Sequence, residues 1–183
     1  LVPGIAPNMF LKADKVISVG KLKTHCMTRM TGAVKNMFGA IPGTKKTEYH
    51  FNCQDIESFV NCLCDICSYV NPVLSFLDAV TGMEGNGPTA GKPRQIGLIM
   101  AGDNPFELDM AAAKVINTPP KEIPLLKCAI DRKLCSDDLS KTEFFGEPLD
   151  DCIIKDFAVP ENKSVHFFGK NTPKFVLDFA STH

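Results

Sequence analysis

Across residues 55–70 the apolar side chains Ile56, Phe59, Val60, Leu63, Ile66, Cys67 and Val70 recur at helical spacing, and Asn71-Pro72 stops the run. The next five residues, Val73-Leu74-Ser75-Phe76-Leu77, are nearly continuous in apolar character, the pattern of a strand covered on both faces. An amphipathic helix feeding such a strand points to an α/β protein, and the flanking segments continue the alternation. Asp14-Lys15-Val16-Ile17-Ser18-Val19-Gly20 reads as an earlier strand, its β-branched residues set between a polar entry and a glycine. Residues 96–101 read as a later one. Asn104 then caps a helix opened by Pro105, with Phe106, Leu108, Met110, Ala112, Ala113, Val115 and Ile116 on a broad apolar stripe. Strand, helix, strand, loop, strand, helix predicts a mostly parallel sheet with flanking helices.

Shorter features fill in the rest. Residues 31–38 fit a short helix with Gly39 as its left-handed stop, followed by a turn-rich stretch at 41–46. Beyond Asn117 the pattern loosens around Pro119-Pro120 and Pro124; residues 125–129 begin another helix, and 151–157 and 164–168 read as terminal strands. A chain of 183 residues fits one domain of about 100–200, so residues 1–183 are read as a single α/β domain. Because it opens on Leu1 and closes at His183 without an evident final element, a partial domain cut from a longer protein is expected.

With 44% hydrophobic and 22% charged residues, disorder and coiled coil are excluded. No apolar run approaches the ~18–20 residues of a membrane span, and LVPGIAPNMF lacks the basic region and apolar core of a signal peptide. Eight cysteines in a chain of this length and type suit a reducing compartment better than a disulfide scaffold, so a cytoplasmic protein is expected.

The net charge of −1 conceals a division. Residues 1–50 carry eight bases against two acids, +6, and the remainder twelve bases against nineteen acids, −7. Such a basic segment either neutralises the acidic remainder or captures a small anion. No nucleic-acid partner is expected, since stacking aromatics are not interleaved with the bases and no helix-turn-helix, zinc-finger or RNA-recognition signature is present. If extended geometry continues past Gly20, Lys21, Lys23 and His25 share one face with neighbours roughly 6.5–7 Å apart. Lysines supply point charges for phosphate or carboxylate, and a histidine beside them suits a neutral base or a metal ligand. His50 is a weaker candidate of the same kind.

Ligands of open α/β sheets collect at the carboxyl ends of strands, where Asp78, Glu84 and Asp103 are expected. Asp78, Glu84 and Asp109 are hard oxygen donors suited to magnesium or calcium, or to general acid and base work; salt bridges to the basic segment are the alternative. The glycine-rich stretch 81–93 is not a P-loop, because position 86 is Asn and Pro93 stands where Ser or Thr is needed. It reads as a flexible loop presenting Glu84. Cys62, Cys64 and Cys67, with Cys53 upstream, lack the ferredoxin spacing, and on a helix Cys62 and Cys64 project about 200° apart.

Taken together, residues 14–19, KLKTH at 21–25, TGAVKNMFG at 31–39, Ile41-Pro42-Gly43, His50, DAVTGMEGNGPTAGKPR at 78–94 and Asp109 closely resemble the family catalogued as domain of unknown function 362. The resemblance spans about residues 14–115, and Gly146-Glu147-Pro148-Leu149 is also reminiscent of it. It implies a bacterial or archaeal cytoplasmic protein of the kind often labelled iron–sulfur cluster-binding, frequently with a ferredoxin-like module carrying four-iron four-sulfur clusters. No such module is found in this sequence, so any cluster is expected outside it. The family-like polar positions are Lys21, Lys23, His25, Lys35, Asn36, His50, Asp78, Glu84 and Asp109.

Three functions follow as expectations. In the first, a redox-associated α/β domain binds a small anionic substrate or cofactor in a cationic cleft of Lys21, Lys23, His25 and Lys35, with Asn36 and His50 as further anion-binding positions. His25, Asp78 and Glu84 then serve as catalytic groups, Asp78 and Glu84 moving protons or ligating a divalent metal. In the second, a metal-assisted transferase, hydrolase or isomerase acts on a phosphorylated or carboxylated metabolite. In the third, the basic face docks a ferredoxin-like module or another electron-transfer partner without chemistry of its own. The substrate, the identity of any cofactor and whether the chain is an enzyme are left open by the residues.

Overall fold

Ile17–His25 forms strand β1, whose burial alternates residue by residue: Ser18, Gly20, Leu22 and Thr24 point inward, and Ile17, Val19, Lys21, Lys23 and His25 point to the other side. The computed structural model describes residues 10, 12–43, 45–46, 49, 53 and 55–160. Arg29–Thr31 folds back as the short strand β2, and the chain then makes the helical turn α1, Ala33–Asn36, continued by a 3-10 turn at Met37–Ala40. The expected short helix is therefore present. Gly39 does not stop it in a left-handed conformation, since the 3-10 turn runs through it and it is not among the positive-φ glycines.

Helix α2, Ile56–Val70, matches the apolar periodicity. Its N-terminus is capped by Asp55, which accepts from Ser58 N at 2.7 Å, and Asn71 ends it in the left-handed region at φ 47. Strands β3, Leu74–Asn86, and β4, Ala90–Gly102, follow, then α3, Pro105–Val115, capped by Asn104 Oδ1 on Phe106 N and Glu107 N. Helix α4, Pro124–Asp131, comes after a 3-10 turn at Pro120–Glu122.

The four strands lie in the order β2-β1-β3-β4, with only β1 and β3 parallel. The sheet is α/β in type but mixed and mostly antiparallel, which corrects the mostly parallel expectation. The reason lies in the glycine-rich stretch: apart from its turn at residues 87–89, it is strand, so β3 and β4 form one long hairpin. A connection that short permits only antiparallel pairing, whereas a parallel return needs a crossover of a dozen residues or more. Asp78 and Glu84 consequently stand within β3 rather than beyond a strand end. Residues 151–157 are not a strand either; a 3-10 turn, Leu149–Cys152, leads into irregular chain. The strand expected at 164–168 lies outside the described residues.

Among the described residues, α1 and α3 pack on the strands, and α2 and α4 complete the helical layer on the inner face of the sheet. Leu22, Leu77 and Ala79 from the strands join Phe59 and Leu63 of α2, Ala112 and Ala113 of α3 and Leu126 of α4 in one buried cluster. On the outer face, Ile17, Val19 and Ile99 are 58%, 69% and 71% exposed, and no helix among the described residues covers it. Among the described residues, no helix is long and apolar enough to cross a membrane.

Candidate functional site

Strand β2 pairs only with the last residues of β1, from Lys23 to His25, so the preceding part of β1 has a free edge on that side. Helix α1 closes it. Asn36 Nδ2 donates to Ser18 Oγ at 3.0 Å and to the Val19 carbonyl at 3.2 Å, fastening the helical turn across the unpaired backbone. Gly20 makes this approach possible, because a Cβ there would come within 3.3 Å of Asn36 Cγ.

Between strand edge and helix lies an open hollow of about 510 Å³, walled by Lys21, Lys23, Thr31, Lys35, Asn36 and Asp78, with Phe38 and Gly39 at its end. Four of the positions singled out in sequence for anion binding, Lys21, Lys23, Lys35 and Asn36, are thus brought together. Lys21 is already engaged: its Nζ donates to Asp78 Oδ2 at 2.7 Å and to the Thr81 carbonyl at 3.0 Å. That hydrogen bond, helped by the Val80 N–H, holds the Asp78 carboxyl below its ordinary range.

Lys23 and Lys35 differ. Among the described residues neither has a carboxylate at ion-pairing distance. Burial, reinforced by the charge of Lys23 and only partly offset by Cys26, lowers Lys35 to a pKa of about 8. Thr31 also lines the hollow, but its Oγ1 is buried beneath the surface and has no hydrogen-bond partner among the described residues. Lys23 and Lys35 therefore line one cavity without a carboxylate partner among the described residues, an arrangement complementary to a small anion.

Helix α1 is held from behind by Asp109. This buried carboxylate on α3 accepts from Ala33 N at 2.6 Å and Val34 N at 3.1 Å, taking up donors that a helix N-terminus leaves orphaned. Burial raises its pKa to about 7 although both amides pull the other way. A side chain at Gly32 would overlap the carboxylate. The TGAVKN segment thus combines a glycine that admits Asp109, two amides that bind it, and Lys35 and Asn36 that face the hollow. Asp109 is a positioning residue, and its expected place beside Asp78 and Glu84 as a metal ligand is corrected by its burial on the helix side.

Glu84 also stands apart. Its Oε2 lies 3.7 Å from Arg94 Nη1 and accepts from Ala158 N at 3.2 Å, while Arg94 pairs with Asp156 at 2.6 Å, so Glu84 fastens the segment at 156–158 onto the hairpin. His25 is drawn into the turn after β1, where its Nδ1 accepts from Met27 N and Thr28 N at 3.2 and 3.4 Å. With Nδ1 an acceptor, the neutral ring carries its proton on Nε2. His25 does not line the hollow. His50 lies outside the described residues. No three His, Cys, Asp or Glu side chains among the described residues are gathered closely enough to hold a metal ion.

Cys62, Cys64 and Cys67 lie on α2 and Cys128 on α4, while Cys26 follows β1 and Cys152 ends the 3-10 turn at Leu149–Cys152. Cys64 Sγ lies 3.9 Å from Cys128 Sγ between α2 and α4, and burial pushes Cys62 and Cys67 up to about 12, with Cys64 raised further. Another cleft, of about 340 Å³ and lined by β4, α3 and residues 142–149, holds Phe144, Phe145 and several acidic residues but no lysine.

Sequence reasoning missed Thr31, Phe38 and the backbone of Val19 and Gly20. A glycine inside a β-branched run was the available signal for the close backbone approach.

The family model described as "Domain of unknown function (DUF362)" matches residues 5–114. Over 117 residues the chain is 38% identical to a protein from Synechocystis sp. (strain ATCC 27184 / PCC 6803 / Kazusa) named "Thylakoid-associated protein sll1697". The match takes in 63% of this chain and 36% of that relative, so it spans little more than a third of the relative's length. No solved structure matches the chain.

Proposed function

We propose that this chain, which belongs to the DUF362 family of domains of unknown function, is a ligand-binding α/β domain that takes a small carboxylate or phosphate into the hollow walled by Lys21, Lys23, Lys35 and Asn36. The observation that carries this reading is the pair of ammonium groups, Lys23 and Lys35, facing one cavity without a carboxylate partner among the described residues. An incoming anion offsets the repulsion between them. Asp78 holds Lys21 at the rim. In a larger redox-associated protein the bound anion is a substrate or cofactor, and iron–sulfur clusters belong to a module beyond the described residues.

The test is a titration with inorganic phosphate and with pyruvate, followed by amide chemical shifts and repeated with sodium chloride at matched ionic strength. Shifts centred on residues 19–23 and 31–36 that saturate with phosphate or pyruvate but not with chloride are expected, with affinity falling about tenfold in Lys23→Ala, as for one lost charged hydrogen bond. Lys127→Ala, an exposed position on α4, serves as the control. Equal weakening by both substitutions, or shifts spread over all basic residues, refutes the reading.

A further inference from the structure

We propose that the hollow is a carbonyl site, in which Lys35 Nζ forms a Schiff base with a small 2-oxo acid or aldehyde acid whose carboxylate is held by Lys23. This deepens the anion-binding reading and rests on it. Three features of the geometry point the same way. Lys35 is presented from a helical turn fixed at both ends, by Asp109 on Ala33 N and Val34 N and by Asn36 on β1. The cavity it faces, about 510 Å³, admits a small organic acid. Its wall provides, in Lys23, a second cation for the carboxylate.

The protonation state suits the chemistry. A lysine attacks carbonyls only as the free amine, and the ordinary side chain with a pKa of 10.5 is almost wholly protonated at neutral pH. Withdrawn from water and beside Lys23, Lys35 releases its proton near pH 8, so its free-amine fraction at pH 7 is roughly a hundredfold or more above that of an exposed lysine. The charged and titratable groups around it are Lys23 and Cys26 at the end of β1, and Lys21 with Asp78 across the hollow. The Lys21–Asp78 pair is mutually neutralised, leaving the net field at Lys35 positive.

The step balances without an oxidant or reductant. The amine lone pair attacks the carbonyl carbon, a C–N bond forms, and the π electrons move to oxygen, which takes up the proton leaving nitrogen. The carbinolamine C–O bond then breaks, its hydroxyl leaves as water with a proton from the Lys23 ammonium, and a C=N bond remains. The iminium nitrogen is an electron sink for a bond adjacent to the former carbonyl.

The experiment is reductive trapping on the intact wild-type protein. Pyruvate with sodium cyanoborohydride is applied from pH 6 to 9, the adducts are located by peptide mass mapping, and a parallel sample receives formaldehyde in place of pyruvate. The expected result is one dominant pyruvate adduct on Lys35, formed about tenfold faster than on any other lysine, rising through pH 8 and suppressed in Lys23→Ala. Lys35→Arg should lose the adduct while keeping its circular dichroism spectrum. Lys35 reacting with formaldehyde no faster than surface lysines, while phosphate still binds in the hollow, overturns the Schiff-base proposal and leaves the anion-binding reading standing. Fast formaldehyde reaction at Lys35 without selective pyruvate capture overturns the proposal as well, and there the failure lies in anion recognition.

Discussion

Replacing Lys35 by methionine removes a charge that the folded protein holds at a cost, and the pH dependence of that cost is fixed by the structure. Burial and Lys23 bring Lys35 from the ordinary 10.5 to about 8. At about 1.36 kcal/mol per pH step the drop corresponds to roughly 3 kcal/mol, which the side chain's opening onto the hollow reduces to about 1–2 kcal/mol. Unfolded Lys35 keeps its proton up to about pH 10.5, whereas the folded protein releases it near pH 8. Between those limits the unfolded state binds more protons, so wild-type stability rises with pH; below about pH 8 the cost is fully present. Lys35→Met lacks this term. The variant's stability relative to wild type should therefore be greatest near pH 7 and decline by about 1–2 kcal/mol by about pH 10. Urea denaturation followed by circular dichroism, the suitable probe for a chain without tryptophan, measures both proteins at the two pH values. Packing differences between lysine and methionine shift both comparisons equally and drop out. A difference that stays constant or grows with pH refutes the reasoning.

Three further outcomes follow from the same geometry. Gly32→Ala places a methyl group on the Asp109 carboxylate and should lower stability by about 3 kcal/mol, read as a shift in the urea midpoint with the slope unchanged. Asp109→Ala strands the amides of Ala33 and Val34 in the interior; a loss of about 2–4 kcal/mol and weaker phosphate binding are expected, measured by denaturation and by titration of the folded fraction. Asp78→Ala breaks an exposed ion pair and an exposed hydrogen bond from Val80 N and should lower stability by about 1 kcal/mol, yet it frees Lys21 for the hollow and should tighten phosphate binding severalfold, as a binding isotherm will show.

What the residues alone revealed divides by the range of the interactions involved. Helices α2 and α3 were readable because their information is local: apolar periodicity in both, and in α3 the Asn104 cap with Pro105 at the first helical position. The grouping of Lys21 and Lys23 was readable because a strand alternates with a fixed period. Strand pairing was not. Glycines that suggested a loop in residues 81–93 instead allow close approach within a hairpin, as at Gly91, where a Cβ would meet the Glu84 carbonyl at 2.6 Å. Asp109 illustrates the limit most clearly. Its oxygen-donor chemistry suggested a ligand role shared with Asp78 and Glu84, which spacing in the sequence could not test, while its partners are amides 75 and 76 residues away that only the packing of α3 against α1 brings near.

The central claim is that an anion sits between Lys23 and Lys35, and diffraction from crystals soaked in selenate tests it most directly. The anomalous signal of selenium locates the anion without reference to any assay. The account predicts a peak in the hollow within hydrogen-bond distance of Lys23 Nζ and Lys35 Nζ, lost in crystals of Lys23→Ala. Selenate bound elsewhere on the surface, with the hollow empty at saturating concentration, would contradict it.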